Sequence, residues 1–180
     1  MNITQYSLKL LRELPPQKQA KTLLLTGILL LSLGSSFILM QDVHETFDEA
    51  SWSRVSASLT SQPEIWKSDK SLYTFGIKFQ NADGVHAKIY LYAQKARFEA
   101  ANLERSTPLL VDIANTEKGS IAERLIAPNG MVLYDPALAA YVTNVRNRET
   151  ARAVIIFAGA GIGLLIGAAV IYCELRIRGH

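Results

Sequence analysis

The 180-residue chain carries 19 Lys and Arg against 16 Asp and Glu, a net charge of +3. Residues 1–21 sum to +3 and residues 174–180 to +1, whereas residues 41–152 hold 13 basic against 14 acidic side chains. The basic excess therefore belongs to the tails and gives no footing for nucleic-acid binding, and a single cysteine, Cys173, excludes a disulfide framework.

The chain opens on a basic leader, residues 1–21. Ile3, Leu8, Leu10, Leu11 and Leu14 recur among Gln5, Lys9, Arg12 and Glu13. That spacing predicts a short amphipathic helix on an anionic inner leaflet, stopped by Pro15-Pro16; a loosely ordered leader is the alternative. Residues 22–40 follow, 19 residues without a charge. At about 1.5 Å per residue they match a hydrocarbon core roughly 30 Å thick and predict a first membrane span. The run exceeds the roughly 7–15 residues of a signal-peptide core, and Gln41-Asp42-Val43-His44-Glu45 offers no A-x-A-like cleavage site. An uncleaved anchor is expected. Lys9, Arg12, Lys18 and Lys21 precede it, and only Arg54 lies in the 20 residues beyond, which places the N-terminus in the cytoplasm. Arg146, Arg148 and Arg152 ahead of the second span argue weakly the other way, but the first span usually sets the orientation.

Residues 41–152 read as a small, mainly antiparallel β domain outside the cytoplasm. Asp42, Glu45, Asp48 and Glu49 form an acidic collar that is expected to carry the helix on towards Trp52. Val55, Ala57 and Leu59 then alternate with serines and Thr60, the pattern of a half-buried strand. Tyr73, Phe75, Ile77 and Phe79 alternate with polar residues, as do Val85, Ala87, Ile89, Leu91 and Ala93, around Asn81-Ala82-Asp83-Gly84. This predicts a hairpin whose Asp-Gly supplies the turn. Residues 94–106 favour a short helix. Strands are expected at 109–113, 121–126 and 131–134, with turns at Glu117-Lys118-Gly119 and Pro128-Asn129-Gly130. Asp135-Pro136 stops the last strand, and 137–152 lead on as helix.

The second charge-free run, residues 153–173, is 21 residues long and predicts a second span, with residues 174–180 as a cytoplasmic tail. Gly159, Gly163 and Gly167 lie four apart on one helix face. Glycines so spaced admit the close approach of another helix. The partner is either the first span, which offers Gly27, Ser32 and Ser36, or a helix of another chain, in a homo-oligomer or with a different membrane protein. Neither span contains Asp, Glu, Lys, Arg or His, so neither alone is expected to serve as an ion pathway or proton relay.

Chemistry is weakly signalled. His44 and His86 are isolated and no cysteine can join them in a metal site. Ser51, Ser53, Ser56, Ser58 and Ser61 read as solvated strand residues, and no nucleophile elbow, P-loop or dinucleotide fingerprint is present. No catalytic residue and no cofactor is expected. His86, Lys88, Tyr90 and Tyr92 project from one side of the second hairpin strand, as an interface or as solvent-facing cross-strand pairs.

The layout, with Trp52 ahead of Val55 and the strand end Val132-Leu133-Tyr134-Asp135-Pro136 after Asn129-Gly130, resembles a group of bacterial two-span membrane proteins known as a domain of unknown function. The stretch 94–120 is longer and more charged than that pattern. The resemblance implies a membrane-anchored accessory domain without catalytic residues. The expected protein is thus an α+β membrane protein, two transmembrane helices flanking a β domain, in contact with lipid. Its expected role is a non-enzymatic accessory or assembly subunit of the bacterial inner membrane, the alternative being an immunity protein against a toxin acting there.

Overall fold

The computed structural model describes residues 13–43, 47–80, 84–104, 107–116 and 119–178. The leader helix expected over 3–14, apart from its last two residues, lies outside the described residues, as do His44, residues 81–83 of the hairpin turn and Glu117-Lys118. The chain divides into two compact units, Met1–Gln41 with Asn147–His180, and Asp42–Arg146.

The first unit is built on two helices. Helix α1, Pro16–Leu39, begins on a proline at its first turn, where the missing N–H has no helical partner to lose. Its 24 residues extend about 36 Å. The last helix, Pro136–Arg178, has 43 residues, of which the C-terminal part belongs to this unit. Both helices are long and apolar enough to cross a membrane. Only 11% of the most apolar window of each is buried within the chain, unlike the core helix of a soluble domain.

The acidic collar does not extend α1. The helix ends at Leu39, and Asp48 instead accepts a hydrogen bond from the Ala50 N–H at 3.2 Å, capping a separate 3₁₀ turn at Glu49–Ser51. Aspartate competes for nearby backbone N–H groups in this way, which favours a cap over a helix interior.

The second unit is a curled antiparallel sheet of seven strands with one short helix. The strands are β1 (Ser53–Leu59), β2 (Glu64–Ile65), β3 (Leu72–Gln80), β4 (His86–Gln94), β5 (Leu109–Thr116), β6 (Gly119–Ile126) and β7 (Val132–Tyr134). Helix α2, Lys95–Ala100, follows β4, and the long helix, α3, follows β7. In space β4 lies outside β3, then come β1, β5, β6 and β7, with β2 beside the end of β3 that β1 leaves free. β7 comes round against β4, so the sheet nearly closes on itself.

The hairpin β3–β4 holds its register over nine pairs, from Leu72 opposite Gln94 to Gln80 opposite His86. Alternation puts Phe75, Ile77 and Phe79 inside with Leu91 and Ala93, where they meet Leu109, Val111, Ile113, Leu125 and Leu133. Phe98 of α2 closes this core, tilted against Phe75 at 4.8 Å between ring centres. Gly76 permits the change of neighbour from β1 to β2, because a methyl group there would collide with the Thr60 hydroxyl. Between β5 and β6 a bulge sets Glu123 out of the ladder, and its side chain is buried.

Polar groups tie the sheet to its flanks. Buried Asp112 accepts from Arg54 at 2.7 and 3.0 Å, and Arg124 stands 4.0 Å away. Arg124 also reaches Glu49 at 2.9 Å and lies 4.9 Å from the Trp52 ring centre. At the end of β7, Asp135 caps α3 by accepting from the Leu138 N–H at 2.7 Å, with Pro136 in the first turn.

Tyr134 on β7 is mostly buried, and burial, aided by the nearby Glu123 carboxylate, pushes its phenol from an ordinary 10 up to about 12. The fold therefore favours the protonated phenol; the stabilisation is complete below about pH 10 and is lost as pH rises towards 12. Between pH 9 and about 11.5 the wild-type chain should lose about 2 kcal/mol more stability than Tyr134→Phe, read from denaturant unfolding at each pH. Parallel losses in the two proteins would refute this.

Candidate functional site

Small residues decide where α1 and α3 meet. Ala20, Gly27 and Gly34 recur every seven residues on α1, and all three are buried. Gly161 and Ala168, likewise seven apart, are buried on α3. A seven-residue repeat keeps a seam on one side of a helix, and missing side chains let the backbones close in. A Cβ on Gly27 would stand 2.9 Å from the Gly161 carbonyl oxygen, and one on Gly161 3.0 Å from that of Gly27. The helices run antiparallel: Gly34 lies against Phe157, and Leu23 lies near Gly167. Phe37 stacks on Phe157 with ring centres 5.6 Å apart.

The glycines singled out by their four-residue spacing are not this seam. Gly159 and Gly163 have nothing within 4 Å of a built Cβ, and Gly167 has only Leu23 at 3.7 Å. At about 100° per residue, Gly161 points roughly 160° away from both Gly159 and Gly163. One helix thus carries two glycine faces, one closed by α1 and one open. The signal that marks the closed face is the seven-residue spacing of small residues on each helix.

On the β domain, His86, Lys88 and Tyr90 are exposed, with Tyr90 at 63%. Tyr92 departs from them. Its ring meets Trp66 edge-on at 4.9 Å, and its hydroxyl accepts from Arg146 of α3 at 2.8 Å. Tyr92 therefore fastens α3 to the sheet, while the other three keep a free face.

Described residues of this unit line a cavity and a shallower recess. A cavity of 780 Å³ is lined by Asp69, Gln94, Lys95, Arg97, Asp135 and Tyr141 among others. Its acids have partners. Asp69 accepts from the Tyr141 hydroxyl at 2.7 Å and from Ser71, which hold its carboxyl below the usual carboxylate range. A recess of 460 Å³ is lined by Ser56, Ser58, Lys78, Gln80, His86 and Pro108, with parts of Ala57 and Phe79. It joins serines and a histidine that sequence spacing left unconnected. Among the described residues no carboxylate lines it, so the third member of a Ser–His–Asp arrangement is not supplied there. Nor do three metal-ligating side chains converge anywhere among the described residues.

No protein-family model, curated protein or solved structure matches the chain.

The two glycine faces make separable predictions. Gln17 and Cys173 border one hollow between α1 and α3, so Gln17→Cys gives a cross-linkable pair within one chain. Adding Gly27→Leu or Gly161→Leu should lower the intramolecular cross-linking yield several-fold, because bulk enters a backbone contact. Gly163→Leu should leave it unchanged. A fall with Gly163→Leu would show that the open face belongs to the internal seam after all.

Proposed function

We propose that the chain is an integral protein of a bacterial inner membrane, spanning it with residues 22–40 and 153–173. In this reading both ends are cytoplasmic, the Asp42–Arg146 unit lies outside, and the protein works as a non-enzymatic accessory or assembly subunit. The carrying observation is the open glycine face of α3, at Gly159 and Gly163, turned away from the contact with α1. In lipid, where apolar side chains gain nothing from leaving solvent, close backbone packing at small residues is what brings helices together. A face free of bulk opposite an occupied seam suits a helix of another chain, either a second copy or a different membrane protein.

Other observations support the membrane setting. Leu25, Leu29, Ile155 and Ile156 are 59–71% exposed on the helix pair, a surface that water would not tolerate and lipid would cover. The charge-free spans offer nothing to carry an ion or a proton, which favours association over transport. Four basic residues before the first span favour a cytoplasmic N-terminus. The short motifs around Trp52 and Tyr134-Asp135-Pro136 suit the same family of membrane-anchored accessory domains.

Two experiments bear on this reading. Alkaline phosphatase fused after Asp83 should be active if the β domain is outside, and a well-expressed but inactive fusion would reverse the orientation. Cross-linking in intact membranes, followed by mass spectrometry, should capture a membrane partner with wild type and lose it with Gly163→Leu. Equal capture by both proteins would remove the glycine face from the interface.

A further inference from the structure

Lys78 stands on an internal strand. On one side its direct partner is Ser58 of β1, and on the other it is Lys88 of β4. Lysines on edge strands discourage pairing with other chains, but β3 is hydrogen-bonded along both sides, so that role does not account for Lys78. Like charges placed directly opposite are destabilising. Lys88 relieves the repulsion by turning along its own strand: its Cε packs over Gly76, 3.4 Å from where a Cβ would be, and its Nζ lies 5.3 Å from the Tyr90 ring centre. Lys78 is left as the ammonium of the 460 Å³ recess.

Around it stand the hydroxyls of Ser56 and Ser58, the Gln80 amide and the His86 imidazole. Each of these side chains can donate a hydrogen bond. Gln80 already donates one to the Gly84 carbonyl at 2.9 Å, which fixes its amide beside the hairpin turn. Among the described residues no acid lines the recess, and Lys78 makes no ion pair. Donors without an opposing acceptor charge call for an anion. Its shape follows from the kind of donor. No described arginine lines the recess, so the two-pronged clamp that suits a planar carboxylate is missing. Single donors from three strands suit a tetrahedral oxyanion, whose several oxygens point in different directions.

We infer that this recess binds a phosphate group, with Lys78 supplying the charge and Ser56, Ser58, Gln80 and His86 the hydrogen bonds to its oxygens. The phosphate is either a soluble ion or ester, or the headgroup of a phospholipid. The inference stands apart from the proposed assembly role, since it uses neither glycine face.

The test uses the full chain in uncharged, phosphate-free maltoside micelles, with thermal unfolding followed by tryptophan fluorescence. About 10 mM inorganic phosphate should raise the wild-type midpoint by about 2–4 °C over sodium chloride at equal ionic strength. Lys78→Gln should show no such shift, while its midpoint without phosphate stays equal to or above wild type because the facing charges are gone. A second arm compares nanodiscs of phosphatidylglycerol with nanodiscs of a phosphate-free galactolipid. A response to soluble phosphate in micelles identifies a free phosphate or ester. A response confined to phosphatidylglycerol nanodiscs and lost in Lys78→Gln identifies a headgroup. The inference is overturned if chloride matches phosphate, if Lys78→Gln responds as wild type does, or if wild type responds in neither arm.

Discussion

A domain inserted between two paired helices must bring its own two ends together. The Asp42–Arg146 unit does so with its first and last residues: Arg146 Nη1 lies 3.4 Å from Asp42 Oδ2. Both side chains are half exposed, so the pair itself contributes at most about 1 kcal/mol. It marks the geometry more than it enforces it. The enforcement comes from Arg146 also lying over Tyr92, with its guanidinium 5.6 Å from the ring centre, and from Asp135 starting α3 directly at the end of β7. The helix leaves the sheet from a capped start and is held a few turns later against β4. This unit has no cysteine, so no disulfide adds to these contacts and the apolar core.

The core explains why the sheet curls. Phe75, Ile77, Leu109, Val111, Ile113, Leu125 and Leu133 are almost wholly inaccessible, and they come from strands across the whole width of the sheet. A flat sheet of this size could not bury one face without a second layer. By curling until β7 meets β4, the sheet serves as its own second layer, and α2 plugs the remaining gap with Phe98. The bulge at Glu123 and the exchange of β1 for β2 at Gly76 are breaks in regular pairing that accompany this curvature. The outer face is then free to be polar, and that is where Lys78 and the serines lie.

Elements with a strong period were legible in the sequence. The alternation from Tyr73 to Phe79 and from Val85 to Ala93 located β3 and β4 to within a residue or two, because one face of each is buried and the pleat has period two. β2 left no trace, since two residues have no period and Glu64-Ile65 are strand only through Tyr73 and Thr74 opposite them. The acidic collar does not continue α1, which ends at Leu39 ahead of its first acid, and Asp48 caps a separate turn. The recess around Lys78 was invisible in a different sense. Ser56, Lys78 and His86 share no motif in the sequence, and only the register of three strands sets them side by side. Tyr92 shares a side of β4 with His86, Lys88 and Tyr90, and it is the contact with Arg146 of α3, remote in sequence, that takes it from the open face.

The glycines show how far a motif can be taken. A four-residue spacing marks a face of a helix, but it does not say which partner the face meets. Here Gly161, which breaks that spacing, makes the internal contact, and the regular series is mostly left over. A helix that needed only to pair with α1 would use Gly161 and Ala168 and could carry bulkier residues elsewhere. Gly159 and Gly163 instead keep the opposite face bare, at a propensity cost of roughly 1 kcal/mol each relative to alanine in a water-exposed helix. Because the faces point about 160° apart, no single neighbouring helix can occupy both. Folding of the helix pair and any association through α3 are therefore separate properties of one helix, open to change one at a time.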